Sequence, residues 1–279
     1  MGERLKVALV QMNSVSDRAA NLDAAEALME RAVAEGGPDL VVLPEHFDWA
    51  GGRKEQKLAA ADAMPGGEAY TRMQEFARKH GVFVHAGSML ETIPGESRIH
   101  NTTVVFDRQG TEIARYRKIH MFDIVAPDGA KYLESESVKP GSGTATYDLE
   151  GFRIGCAICY DLRFPYLFQA LSNAGAEVIV LPASFTLQTG KDHWEVLCRA
   201  RAIENDAYFV ACGQWGTFTH GDGSTRHTYG HSLVADPWGH VVAKASDGVG
   251  VLHAEIRRAE IDRVRGLIPV IDHRVEMAA

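Results

Sequence analysis

The sequence predicts one α/β domain with mixed sheets, spanning residues 1–279. Three observations carry this. Short apolar runs alternate with longer stretches of helical spacing along the whole chain. Few of the apolar runs alternate polar with apolar, so the sheets are expected to be buried on both faces. No linker, repeat or low-complexity segment divides the chain. Two sheets packed together, each covered outside by helices, satisfy all three.

In order, Leu5–Met12 (LKVALVQM) is a strand candidate. Asn21 to Ala34 carries apolar residues at helical spacing and stops at Gly36-Gly37-Pro38. Asp39–Glu45 (DLVVLPE) is an apolar strand ending in a charge. Tyr70 to Lys79 reads as a helix stopped at Gly81, and Val82–Met89 as a strand. Asn101–Asp107 and Thr111–Lys118 flank Arg108-Gln109-Gly110 and read as a hairpin. Ile119 to Gly143 reads as a long irregular stretch, and such loops are commonly functional. Phe152–Tyr160 is a buried strand, Arg163 to Asn173 a helix, Ala176–Ser184 a strand, Asp192 to Asn205 a helix and Ala207–Gln214 a strand. A hairpin turns at Asp236-Pro237-Trp238-Gly239. Gly250–Ile256 and Arg257 to Gly266 are the last strand and helix.

Composition bounds the partners. The chain is 46% hydrophobic and 24% charged, with a net charge of −8. An acidic balance argues against nucleic acid or an anionic membrane as main partner. It leaves open a local site of opposite charge. The four cysteines, Cys156, Cys159, Cys198 and Cys212, are too few for a disulfide scaffold. The N-terminal residues lack a signal-peptide pattern, and no run of about 20 apolar residues suits a bilayer. The expected location is a reducing cytoplasm.

Three reactive residues end apolar strands: Glu45, Lys118 and Cys159. Groups beyond the carboxyl ends of strands are where α/β sheets gather chemistry. Each has a plainer reading. Glu45 could be a solvated strand-end carboxylate, Lys118 part of the solvated basic run RYRK, and Cys159 a buried structural cysteine. Taken together they form a chemical unit. A thiol of pKa about 8.5 is mostly protonated at neutral pH and needs a base. Glu45 can accept that proton and return it to a leaving amine. Lys118 and the peptide N–H of Tyr160 can stabilise the oxyanion. A Cys–His pair using His46, His120 or His193 is the mechanistic rival. Cys156 and Cys159 have Cys-x-x-Cys spacing. A metal reading lacks a second ligand pair, and a redox pair is disfavoured because residues three apart on a strand face opposite ways.

VVLPE, YRKIHMFD, ICYDLRFP and GHSLVADPWG together resemble the signature blocks of the nitrilase superfamily, the carbon–nitrogen hydrolases, in the family's order. The resemblance implies a four-layer α-β-β-α sandwich and assigns the catalytic Glu-Lys-Cys set to Glu45, Lys118 and Cys159. It adds a second glutamate from YLESES, for which Glu134 is preferred over Glu136. SFTLQTGKDHWEVLCRARAIEN resembles the Nit branch, whose members hydrolyse amides of the deaminated-glutathione or omega-amide type. The segment Gly216 to His227 departs from that pattern and could shape the pocket. The implied reaction is hydrolysis of a small linear amide through a thioester, with no metal or organic cofactor. Branch substrates often carry a carboxylate, for which Arg163, Phe185, Thr186 and His193 are candidate contacts. Arg163 and Arg199 have ion-pair anchoring as their plainer role, and Trp194 core packing. The family also implies a homodimer or larger homo-oligomer, with Arg257–Ala279 able to reach a partner. Rivals are another superfamily branch (nitrilase, N-carbamoyl amino-acid hydrolase or aliphatic amidase), a silent binding subunit on the same fold, and a thiol redox protein.

Overall fold

Two mixed sheets lie face to face in the computed structural model, which describes residues 2–126, 129 and 131–275. The first half of the chain gives β1 (Arg4–Gln11), α1 (Arg18–Gly36), β2 (Leu40–Val42), α2 (Lys54–Ala59), α3 (Glu68–His80), β3 (Phe83–His85), β4 (Met89–Thr92), β5 (Ile99–Phe106) and β6 (Glu112–Arg117). Next come β7 (Asp123–Val125), β8 (Lys131–Leu133), β9 (Thr146–Leu149), β10 (Phe152–Cys156), α4 (Pro165–Asn173), β11 (Val178–Ala183), α5 (Leu187–Glu204) and β12 (Tyr208–Gly213). The rest gives β13 (Trp215–Thr219), β14 (Thr225–Tyr229), β15 (Leu233–Ala235), β16 (Val241–Lys244), β17 (Gly250–Arg257) and α6 (Arg258–Leu267).

One sheet runs β17-β1-β2-β3-β5-β4 with β6 on the far side of β5, and the other runs β16-β15-β12-β11-β10-β9. In each, three strands are parallel, β1-β2-β3 and β10-β11-β12, and antiparallel neighbours flank them. Strand alternation makes the layers. Leu5, Val7 and Leu9 pack with Ile154, Val178, Val180 and Val210 between the sheets. Val10 and Met12 turn the other way and pack with Leu22, Met29, Met73 and Phe76 of α1 and α3. Phe168 and Leu171 of α4 and Trp194 and Cys198 of α5 cover the second sheet. The result is the α-β-β-α order. β1 is apolar over residues 7–10, where both of its faces are buried, and only Arg4 and Lys6 at its start are exposed.

Helix ends follow the chain's own signals. The Asp17 side chain accepts from Ala20 N (3.1 Å) to cap α1, and Gly37 closes it at φ 52°. Gly81 ends α3 at φ 62°.

Several boundaries differ from expectation, and the differences matter for the site. The strand expected over Asp39–Glu45 is only Leu40–Val42, so Glu45 stands on a turn. The strand expected over Phe152–Tyr160 stops at Cys156, and Cys159 opens a 3₁₀ turn, Cys159–Arg163. The strand expected over Val82–Met89 breaks at Gly87, where φ is 37°. The irregular stretch holds the β7–β8 hairpin and a 3₁₀ turn at Glu134–Glu136, with residues 127, 128 and 130 outside the described residues. The polar segment Gly216 to His227 is most of the β13–β14 hairpin. The chain end expected to reach a partner begins with α6, and its residues 276–279 lie outside the described residues. No helix of the described residues is long and apolar enough to cross a membrane.

Candidate active site

Turns following β2 and β6 of one sheet and β10 of the other converge at one edge of the sandwich. They bring together Glu45 (2% exposed), Lys118 (2%) and Cys159 (6%). Lys118 Nζ donates to Glu45 Oε1 at 2.9 Å and to Glu134 Oε1 and Oε2 at 3.1 and 2.9 Å. The Cys159 thiol lies beside the Glu45 carboxylate, close enough for each to shift the other's pKa. A buried ammonium is tolerable only with its charge and protons matched, and two carboxylates do that here. Glu136, the alternative to Glu134, lines the cleft but makes no bond to Lys118.

Electrostatics set the resting protonation. Burial alone would raise the Glu45 carboxyl, but the Lys118 ammonium holds it below the ordinary carboxylate range, helped by His46 and the thiol. Burial and the Glu45 charge push the Cys159 thiol well up, against the opposing pull of Lys118. Lys118 stays charged: burial opposes it, and Glu134 and Glu45 overcome that. The resting site therefore pairs a protonated thiol with an ionised carboxylate.

Neighbours fix each of these side chains. Glu45 Oε1 also accepts from Asn101 Nδ2 (2.9 Å), and Oε2 accepts from Ser184 N (2.8 Å). Gln214 Nε2 donates to the Glu45 carbonyl (3.0 Å) and to Ser14 Oγ (2.7 Å). Gly87 lets the end of β3 pass against the Pro44 carbonyl, a position any Cβ would block. Cys159 sits at φ 46°, an unusual conformation for a side-chain-bearing residue. Asp161, fully buried, holds that turn by accepting from Ile158 N (2.9 Å) and Tyr116 OH (2.7 Å) on Oδ2 and from His120 N (3.1 Å) on Oδ1.

The site opens into a cleft of about 360 Å³, large enough for a small organic substrate. Tyr160, Phe185 and Thr186 line it, and so do Phe218, His220, Arg226 and His227 of the β13–β14 hairpin. Tyr160 is the second residue of the 3₁₀ turn, where peptide N–H groups have no partner within the turn.

The carbon–nitrogen hydrolase family profile matches residues 6–266. The chain belongs to the carbon–nitrogen hydrolase family. A deaminated glutathione amidase of Synechocystis is 40% identical over 271 residues, 96% of this chain and 97% of that protein. The omega-amidase NIT3 of Saccharomyces cerevisiae is 35% identical over 280 residues, 98% of this chain and 94% of that protein. The crystal structure of S. cerevisiae Nit3, a member of branch 10 of the nitrilase superfamily, superposes with a TM-score of 0.84 at 32% identity, covering 96% of this chain and 95% of that one.

In this hydrolase the other expected contacts fall elsewhere. Arg163 and His193 do not line the cleft. Arg163 stacks over the Phe185 ring at 5.2 Å, and its guanidinium lies 3.4 Å from His193 Nδ1, so the pair braces Phe185 from outside. Arg199 Nε donates to the Gly239 carbonyl (2.7 Å), a fold anchor. Trp194 is fully buried and donates to the His231 carbonyl. The histidine rivals are otherwise engaged. His120 Nδ1 is on Asp161 (2.6 Å) and its Nε2 on Tyr166 OH (2.5 Å). His46 lies beside Glu45 (3.8 Å), and burial pushes it down to about 4, so it is neutral. All four cysteines are free thiols. Glu45, His46 and Glu134 bring ligand-type atoms within 4.8 Å of one another, but the Lys118 ammonium already bonds both carboxylates where a cation would sit.

Sequence reasoning missed Asn101, Asp161, Ser184 and Gln214. Only Asp161 left a local trace, as an acidic residue in the first turn after Cys159, placed to reach back to a peptide N–H.

Proposed function

We propose that this hydrolase cleaves a small linear amide, of the deaminated-glutathione or omega-amide type, to a carboxylate and ammonia through a thioester on Cys159. Glu45 takes the thiol proton as sulfur bonds the amide carbon. The carbonyl oxygen becomes an oxyanion, met by the Lys118 ammonium and the Tyr160 N–H. The C–N bond breaks as Glu45 returns the proton to the leaving nitrogen. Glu45 then takes a proton from water, hydroxide adds to the thioester carbon, and the sulfur departs and regains its proton. Glu134 holds Lys118 in place and orients amide or water. The Glu45 carboxylate, bonded to Lys118 and beside the Cys159 thiol, supports this reading most. A homodimer or larger assembly in the cytoplasm belongs to the same reading. Val196 and Ile203, seven residues apart on one face of α5, form an exposed apolar pair that suits such contacts.

The test is ammonia release from a panel of linear amides, nitriles and N-carbamoyl amino acids, with Cys159→Ala run beside it. Turnover of omega-amides that disappears in the variant is expected. Turnover confined to nitriles or carbamoyl amino acids would move the protein to another branch, and unchanged amide turnover by Cys159→Ala would overturn the mechanism.

A further inference from the structure

The cleft and the whole chain differ in charge. The protein carries −8, yet five basic residues (Lys54, Lys57, Lys118, Lys131 and Arg226) and three acidic ones line the cleft. Most of this positive charge is matched or solvated. Lys118 is held by Glu45 and Glu134, and Arg226 pairs with Asp222 at 3.0 Å and stacks on Tyr132 at 5.0 Å. Lys54 and Lys131 are exposed at the rim.

Lys57 differs from these. It lies in the last turn of α2, half-buried and lining the cleft, and its ammonium has no hydrogen-bond or ion-pair partner among the described residues. Burial lowers its pKa, and the Glu134 and Glu45 charges oppose that, so it lies within electrostatic reach of the reacting groups. An ammonium that loses part of its hydration without a counter-charge in contact carries a cost. A ligand carboxylate entering the cleft would supply that counter-charge and form a charge-assisted hydrogen bond.

The helix that carries Lys57 is tied down on both sides, which limits the ordering cost of binding. Arg18 bonds Asp62 (2.8 Å) and the Ala60 carbonyl just beyond its end. Gly52 N donates to the Thr219 carbonyl of β13 (2.9 Å) just before its start. An anionic substrate must also approach Glu45 and Glu134, whose combined charge exceeds that of Lys118. A cation lining the same cleft offsets that repulsion.

We infer that Lys57 is the specificity-determining residue of this site, binding a carboxylate carried by the substrate at a distance from the amide that reacts at Cys159. This rests on the amidase reading above and adds the residue that selects anionic over neutral amides. Arg163, expected from sequence to take that part, is instead spent on Phe185 and His193.

Succinamate and the neutral, near-isosteric succinamide separate charge recognition from fit. Steady-state ammonia release is compared for wild type, Lys57→Met and Lys57→Arg. The wild type is expected to prefer succinamate. Lys57→Met should cut the succinamate-to-succinamide ratio of kcat/KM by about tenfold or more, chiefly through KM for succinamate, and Lys57→Arg should restore most of it. A ratio unchanged in Lys57→Met, or a wild type with no preference for the anion, overturns the inference. A second measurement needs no turnover: calorimetric binding of succinate to Cys159→Ala, with and without Lys57→Met. Binding about tenfold weaker in the double variant is expected; equal affinity, or no binding to Cys159→Ala, overturns it. If the wild type hydrolyses neither amide, the amidase reading fails and calorimetry alone decides on Lys57.

Discussion

Replacing Asp161 by Asn removes one charge and no volume from the turn that presents Cys159. Each carboxylate oxygen accepts one peptide N–H, Oδ2 from Ile158 (2.9 Å) and Oδ1 from His120 (3.1 Å), together with one side-chain donor, Tyr116 OH (2.7 Å) or His120 Nδ1 (2.6 Å). Asparagine keeps a single acceptor oxygen. Whichever way its amide is placed, the NH₂ group faces a peptide N–H. The tyrosine hydroxyl can rotate and the imidazole can change tautomer, but a peptide donor can do neither. One buried N–H is left unpaired, at a cost of about 1–3 kcal/mol. Weakening the remaining bonds from charged to neutral adds about 1 kcal/mol. The sum is roughly 2–4 kcal/mol. At about 2–4 °C per kcal/mol for a chain approaching this size, Tm should fall by roughly 5–15 °C. The φ of 46° at Cys159 depends on this bracing, so kcat should fall more than KM rises. Differential scanning calorimetry and ammonia-release kinetics on the same preparation read both effects. A Tm within 2 °C of wild type together with unchanged kcat would refute the reasoning.

Three other outcomes are expected. Gly87→Ala places a methyl group against the Pro44 carbonyl at a positive φ, so it should destabilise the Glu45 turn and lower activity; a variant with wild-type Tm and kcat would contradict this. The rate profile should lack a limb near pH 6.5. His46 is already neutral there, while ionised Glu45 is lost only as pH falls through a value below the usual carboxylate range. A limb centred between pH 6 and 7 that disappears in His46→Gln would contradict it. His85, buried with Nδ1 near Tyr147 OH (3.1 Å), is pushed down to about 3. The unfolded chain binds that proton below about pH 6.5 and the folded chain does not. Stability is therefore complete above about pH 6.5 and falls as pH drops toward 3, and His85→Phe should flatten that slope in urea titrations at pH 5 and 7.

The sequence reveals those site residues that close a strand candidate, because a reactive group stands out at the end of such a run although it stays buried in the fold. Glu45, Lys118 and Cys159 share that signature, and the structure brings them into one cluster. It conceals the local geometry that presents them. Ala157 and Ile158 are apolar and fully buried, so nothing in the residues marks where β10 gives way to the turn at Cys159. Asn101, Ser184 and Gln214 reach Glu45 from 56, 139 and 169 residues away, and no local pattern encodes such meetings. Helix α2 is one short polar segment with no buried residue, so it has no periodicity to read, although it carries Lys57. The β13–β14 hairpin is half exposed and polar for the same reason. The layered fold is easier to read, since runs such as residues 7–10 of β1 and the strands β11 and β12 are apolar on both faces only when two sheets and two helical layers enclose them.

Covalent capture addresses the shared role of Glu45, Lys118 and Cys159 most directly. Acid-quenching the protein during turnover of an omega-amide, then locating the added mass by peptide mass spectrometry, shows which residue carries the acyl group. An acyl increment on the Cys159 peptide is expected, absent from Cys159→Ala and formed about 10²–10⁴-fold more slowly in Glu45→Gln. An acyl group on another residue, or one formed at an undiminished rate in Glu45→Gln, would contradict the assignment.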